Sequence, residues 1–480
     1  MKPLRYGMML YALACAACSL EPVYQTPVMP VPVAYKGATE LWQRAQPSDT
    51  LSRGDWWLRY DDPTLNQLIS RLDAANIDLT IAVAHFEEAN AYAEQAHAGL
   101  FPTITAGAYT TRNRQSDTRA LRSSTQPDDY GDNALGMTLG YELDLWGRVR
   151  SLAKAGQAGA QAAAADMESI RLSLRAELAD DYLALRILDN KAKLLADEVE
   201  SYSNAVTLTQ NRFLGEIDSA LNVSRAKAQL ATTQERLSEN SAERALYEHA
   251  IATLIGESAS TYSIAPVVME LHLPDIPLEL PATILQRRPD IAAAERRLAE
   301  ANAQIGVTKA AFYPTINLAA TGGYESTYQP GLLSAPNLFW SIGPNALLTL
   351  FDAGRRTAVV AQAQAAFDAA GGQYRLTVLR AFQEVEDNLS LLNELYKESV
   401  ALNDAVLETN HSLNLAMNLY RAGAVSYLDV VSAQTLAQQA EFDALNVQKR
   451  RLQASIGLIR ALGGGWSSSQ KNDSQNSASK

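Results

Sequence analysis

Cysteine and histidine are scarce in this 480-residue sequence. It has two cysteines and five histidines, and the histidines (His85, His97, His249, His272, His411) are scattered with no pair at ligand spacing. They read as solvated or core-satisfied imidazoles. The Gly463-Gly464-Gly465 run lacks the Lys-Ser/Thr of a phosphate loop, and no nucleophile elbow occurs. Neither an enzyme nor a non-covalent cofactor is expected. No cluster of Lys and Arg offsets the net charge of −12, which argues against nucleic acid as a partner. Proline is missing from the whole stretch between Gly147 and Phe213, so nothing there need break a helix.

The one apolar run that stands out lies at the N-terminus. Lys2 and Arg5 precede Met8 to Ala17, which is too short to span a bilayer, and Ala16-Ala17-Cys18 closes it as a small-residue cleavage site. Residues 1–17 read as a lipoprotein signal peptide and Cys18 as the lipidated first residue. Cys15 leaves with the signal, so the mature chain keeps one cysteine and forms no internal disulfide. A thioether-linked diacylglycerol plus an amide-linked acyl chain such as palmitate gives stable anchoring where a single chain does not. In bacterial lipoproteins an Asp after the cysteine commonly retains the protein at the inner membrane. Ser19 at that position points to the outer membrane of a Gram-negative bacterium.

What the sequence does contain is one plan stated twice, about two hundred residues apart. Phe101-Pro102-Thr103 and Tyr313-Pro314-Thr315 open alternating stretches. Gly147-Arg148 and Gly354-Arg355 begin very long helical patterns, which break near Arg212–Gly215 and Arg421–Gly423. Ser219-x-Leu221-x-Val223 and Ser426-x-Leu428-x-Val430 open the next helices. The expected organisation is a lipidated strap over 18–60, a first repeat over 61–256, an equatorial linker over 257–280, a second repeat over 281–462 and a disordered tail over 463–480. Asp61-Asp62-Pro63 is expected to cap a helix to about Gly99, and Leu280-Pro281 to open its counterpart to about Ala311.

Strands are expected at about 101–115 and 134–146 in the first repeat, with a polar loop between them from about Asn113 to Asn133, and at about 313–328 and 338–352 in the second. Met137 to Leu145 alternates apolar with polar or Gly, enough to cross a bilayer as a tilted strand with Leu139 and Leu143 outward. Half-buried strands of a soluble sheet are the other reading. Helices fill 147–256 and 354–462. Leu188, Ala192, Leu195, Val199, Tyr202, Val206, Thr209 and Phe213 recur at spacings of four and three, as do Val378, Phe382, Val385, Leu389, Leu392 and Tyr396. The Ala-rich openings (Ala153 to Ala165, Ala358 to Ala370) serve either helix propensity or close helix approach. Four strands cannot close a barrel, whereas a membrane-crossing sheet must close, so the chain has to oligomerise.

Four stretches carry a family resemblance: Cys18 to Pro27; Trp56-Trp57 with Asp62-Pro63-Leu65; Tyr141 to Arg148; and Arg287-Arg288-Pro289-Asp290-Ile291 running to Gly306-Val307 and Tyr313-Pro314. They resemble the outer membrane factor family of TolC-like channels, in its OprM/NodT lipoprotein branch. The resemblance implies a mainly α chain with a transmembrane β-barrel, forming a homotrimer. Its twelve-stranded barrel would sit on a coiled-coil α-helical periplasmic tunnel. It implies a periplasmic adaptor and an inner-membrane pump, of RND type, as partners. It also implies a gate at the periplasmic tips, drawn from Asp429, Tyr420, Asn222, Arg421, Gly423, Arg212 and Gly215. Asp429 matches a ring aspartate and Tyr420 a tyrosine tying neighbouring coils. Asn222 stands where some relatives carry that tyrosine's Asp partner, and Val425 where one branch carries Arg. Asp429 as an ordinary helix-start acid is the competing reading, and Glu216 and Asp218 are the alternative acids.

The function expected is passive conduction of small toxic compounds (antibiotics, solvents, detergents or metals) as the outer duct of a tripartite pump. A type I protein-secretion duct and a non-transporting coiled-coil scaffold lipoprotein are the alternatives.

Overall fold

The computed structural model describes residues 19–27, 29, 54–120, 123, 125–274 and 287–464. The signal peptide, Cys18, most of the strap, part of the linker and nearly all of the tail therefore lie outside the described residues. In chain order the elements are α1 (Pro63–Ala75), α2 (Ile77–Ala98), β1 (Thr103–Arg114), β2 (Asp129–Glu142), α3 (Arg148–Leu214), α4 (Ala220–Leu254), α5 (Pro289–Ala310), β3 (Thr315–Ser326), β4 (Leu338–Leu347), α6 (Arg355–Arg421) and α7 (Tyr427–Ala461). The duplication reappears in element lengths: α3 and α6 have 67 residues each, α4 and α7 have 35, and α2 and α5 have 22. At 1.5 Å per residue the long pair each extend roughly 100 Å. None of the described helices is long and apolar enough to cross a membrane.

The described residues group into two compact units. The first draws on Met1–Val28, Phe86–Ala163 and Ala293–Tyr374, and it holds the sheet. That sheet is antiparallel in the order β1-β2-β3-β4, leaving β1 and β4 as edges. Successive strand residues face opposite sides, and the register sorts them by polarity. One face stacks the rows Ile104-Leu139-Ala320-Ile342, Ala106-Met137-Gly322-Trp340 and Ala108-Leu135-Tyr324-Leu338. It ends on the polar row Thr110-Asn133-Ser326. The opposite face carries Thr105-Thr138-Thr321-Ser341 and Gly107-Gly136-Gly323-Phe339. Apolar side chains on the first face stand in solvent: Trp340 is 75% exposed and Met137 59%.

The Tyr141–Arg148 motif is the joint between sheet and helix. Arg148 makes a two-pronged ion pair with Glu142 (2.8 and 2.6 Å), and Asp144 caps α3 by accepting from the Val149 and Arg150 amides. Trp146 donates to the Pro314 carbonyl (2.8 Å) and stacks on Tyr313. The second repeat caps α6 similarly, with Asp352 accepting from the Arg356 amide and guanidinium. The Ala-rich openings differ in use. A Cβ on Gly156 of α3 would come within 3.1 Å of the Ala93 Cα, so small residues bring α2 and α3 together there. The corresponding stretch of α6 is largely exposed.

The second unit draws on Met29–His85, Ala164–Ala292 and Arg375–Lys480. Its core joins Trp56, Trp57 and Tyr60 to Leu65, Ile69, Leu178, Tyr182, Leu185, Ile251 and Ile459. A buried polar network fastens the 257–274 segment to it. Arg186 and Arg244 both bond to Asp189 (2.8 and 2.6 Å), and donate to the carbonyls of Ala265 and Ile264.

Several boundaries differ from the sequence expectation. The helix expected over 61–99 divides at Asn76, whose Oδ1 accepts from the Leu79 amide and starts α2, while its Nδ2 donates to the Leu254 carbonyl. The described part of the counterpart helix starts at Pro289, and residues 275–286 lie outside the described range. Strand β2 starts at Asp129 rather than 134, because β1 and β2 keep pairing into the expected loop, and it ends at Glu142 rather than 146, where its pairing with β3 stops, so Leu143 lies outside it. Strand β4 stops at Leu347, where its pairing with β3 runs out at Thr315. In α6 the buried seam passes through Leu395 (2% exposed), whereas Tyr396 is 60% exposed. A straight helix drifts off a strict seven-residue repeat, which carries the seam sideways.

Candidate functional site

Two turns, both formed by residues of the second unit, end the long helices α3 and α6. After α6, the Ala424 amide donates to the Leu419 carbonyl and the Gly423 amide to Tyr420, with Gly423 left-handed at φ 75°. After α3, the Ile217 amide donates to Arg212 and the Glu216 amide to Phe213, with Glu216 left-handed at φ 60°. Both are Schellman turns. They align Glu216, not Gly215, with Gly423, which corrects the equivalence suggested by the two Arg-Gly spacings. The same alignment sets Phe213 opposite Tyr420, Asp218 opposite Val425, and Asn222 opposite Asp429.

The two turns meet at Asp218. Its Oδ2 accepts from the Tyr420 hydroxyl at 2.6 Å, and its Oδ1 accepts from the Asn222 amide (2.5 Å) and the Ser219 backbone (2.8 Å). The Arg212 guanidinium lies 4.8 Å from the Tyr420 ring centre, donates to the Tyr420 carbonyl, and approaches Asp218 at 3.8 Å. Asn222 is therefore not the tyrosine's partner; it shares the tyrosine's acceptor. Tyr420 is 2% exposed and packs on Tyr427, Val430, Ala205 and Ala226, with Val425 at the margin. Burial, then the bond to Asp218, pushes the Tyr420 hydroxyl well above its usual pKa. Desolvation raises the Asp218 carboxyl, but the bonds from Tyr420, Asn222 and Ser219, with the Arg212 charge, outweigh it and hold the group below the usual carboxylate range.

Asp429 takes no part in this cluster. It closes a capping box at the start of α7, accepting from the Ser426 hydroxyl (2.7 Å) and amide (2.9 Å). Those two bonds hold its carboxyl below the usual range, and it stays exposed. Arg421 and Gly215 are exposed and make none of the Asp218 contacts. Among the described residues no group of three His, Cys, Asp or Glu could hold a metal ion. From sequence alone Asp218 stands only as an alternative acid. The available signal was its place directly before the Ser219 that opens α4.

The outer membrane efflux protein pattern matches residues 68–257 and 280–464. The chain belongs to that family. Similar proteins include the outer membrane protein OprJ of Pseudomonas aeruginosa, 31% identical over 95% of both chains. A toluene efflux pump outer membrane protein of Pseudomonas putida, TtgC, is 29% identical over 95% of this chain and 94% of its own. The CmeC outer membrane channel of Campylobacter jejuni superposes with a TM-score of 0.87 at 25% identity, covering 94% of this chain and 96% of that one. This outer membrane efflux protein thus spans nearly the full length of its relatives. Its mainly α fold with one four-stranded sheet is theirs, and its place is the outer membrane.

Proposed function

We propose that three copies of this outer membrane efflux protein close one barrel, the β4 edge of each pairing with the β1 edge of the next. The observation that carries the reading is the two-faced sheet, whose edges β1 and β4 are unpaired among the described residues. Its apolar rows suit lipid, its Thr, Ser and Gly rows suit a wet lumen, and four strands are too few to close alone. Twelve strands would make a conduit, and the long helices below would continue it as a periplasmic tunnel. A periplasmic adaptor and an inner-membrane pump of RND type would load it. Small toxic compounds, of which toluene in the P. putida relative's name is an example, are the cargo. Cys18, outside the described residues, carries the diacylglycerol and acyl chain that tether the chain to the membrane. The Asp218–Tyr420–Arg212–Asn222 cluster holds the tip turns together in the closed duct, and Asp429 supplies the acidic ring at its mouth.

The test joins assembly to transport. The purified protein should have three chain masses in detergent, and deleting its gene should raise susceptibility to toxic compounds only when a matching pump is expressed. A stable single chain with an intact sheet would sink the barrel. Loss of polypeptide export instead of drug resistance would favour the secretion duct, and no conductance in bilayers the scaffold.

A further inference from the structure

The first unit holds a groove that the duct does not use. It is open-sided, ~710 Å³ in volume, and runs between the end of α2 and the start of α3. Small-ligand sites occupy about 300–1,000 Å³. Glu94, His97 and Gln157 line it beside Ala93, Ala98, Leu100, Phe101 and Ala153, yet most of the exposed wall is carbon. Arg150 and Lys154 also line it, but direct their charges to Asp144 and Glu21 (2.7 Å for the lysine), leaving methylene stems for the groove. A hydrocarbon chain fits these walls better than an anionic headgroup.

The described chain begins beside this groove. Ser19 packs over Gly147, where a Cβ would lie 3.4 Å from the Ser19 Cα. From there the strap is fastened at each step. Glu21 meets Lys154, the Pro22 carbonyl accepts from Asn302 (2.9 Å), and the Tyr24 hydroxyl donates to the buried Glu295 (2.5 Å). A Cβ on Gly306 would come within 2.9 Å of the Glu21 Cβ and 2.7 Å of the Ser151 Oγ, so the strap needs glycine beneath it. The Arg150 guanidinium comes to the same place as Ser19, 3.6 Å from the Cβ position on Gly147, so the described strap starts beside a residue that lines the groove. Tethering then gives any chain on residue 18 a high effective concentration at the groove.

We propose that the groove seats one acyl chain of the lipid carried on Cys18, a proposal that rests on the lipidation reading above. The seated chain would fix where the strap enters the membrane relative to the sheet.

Lipidation occupies the mature chain's sole cysteine, so Ala98→Cys adds a single free thiol. The lipidated protein and an exported Cys18→Ser version, both carrying Ala98→Cys, would be placed in phosphatidylcholine nanodiscs and their labelling rates by a charged methanethiosulfonate compared. Labelling at position 98 should be at least tenfold slower with the lipid present, while Thr232→Cys on α4 labels equally in both. Adding Gly306→Leu, with helical content checked by circular dichroism, should restore fast labelling at position 98 although the lipid is still attached. Equal rates at position 98, with the lipid confirmed by mass spectrometry, would overturn the proposal alone. An N-terminal peptide without lipid would overturn the lipidation reading as well. Protection of the Cys18→Ser protein by added phosphatidylglycerol would assign the groove to free phospholipid and overturn it too.

Discussion

Asp218 accepts three hydrogen bonds and faces the Arg212 guanidinium, so the tip turns are tied through one ionised carboxylate. Its folded pKa is lowered, and the sign of the pH effect follows. The stability it contributes is fully present above the unfolded value near 3.9, and is lost as pH falls through the lower folded value. Single-channel recording should therefore show conductance rising as pH drops below about 4. Asp218→Asn should raise conductance at neutral pH and abolish the acid step. Tyr420→Phe removes one bond to a charged acceptor, worth about 1.5 kcal/mol at this partly solvated site, and should give a smaller rise. An unchanged acid step in Asp218→Asn would place the pH-sensitive contact elsewhere.

At the scale of the element, the sheet rows decide which substitutions the fold tolerates. Leu139 shares a row with Ile104, Ala320 and Ile342, whereas Thr138 shares one with Thr105, Thr321 and Ser341. In the proposed barrel, a charge on the first face would have to enter hydrocarbon. Leu139→Arg is expected to cost about 2–4 kcal/mol near mid-bilayer, seen as loss of folded oligomer on unheated gels. Thr138→Arg should leave the oligomer intact and alter conductance. Equal damage from both would mean the faces are reversed. The turns show how one motif takes two sequences: Gly423 occupies the left-handed position after α6 without strain, and Glu216 occupies it after α3 at a steric cost.

For the whole molecule, the proposed threefold assembly would multiply whatever stands at the tips. Three Asp429 carboxylates around a narrow axis would focus negative potential and favour cations. Planar-bilayer channels should be cation-selective and blocked by multivalent cations from the periplasmic side. Asp429→Asn should weaken both effects. The box with Ser426 loses its ionised acceptor in that variant, so the start of α7 should also fray, detectable as faster amide exchange there. If selectivity and block survive the substitution, the ring is built from Glu216 or from Asp218 instead.

Local chemistry alone determined much of this chain. The repeat, the proline-free helices, the Asp62-Pro63 helix start and the alternation from Met137 to Glu142 depend only on near neighbours, so each was legible from spacing; the strand stops before Leu143. Period two also put Leu139 on the apolar side of the sheet, where the register pairs it with Ile104 and Ala320. What spacing left open was every contact between distant segments. Asn76 divides a helix because its side chain meets the Leu254 carbonyl, far along the chain. Tyr420 bonds to Asp218 rather than Asn222 because two Schellman turns set the register of their hairpins, and the left-handed residue that fixes one turn is a glutamate that no sequence rule marks. Asp429, read as a ring acid or a helix-start acid, is turned to Ser426 by the capping box. Periodicity records which side of an element is buried; only the packed chain decides which atom is met there.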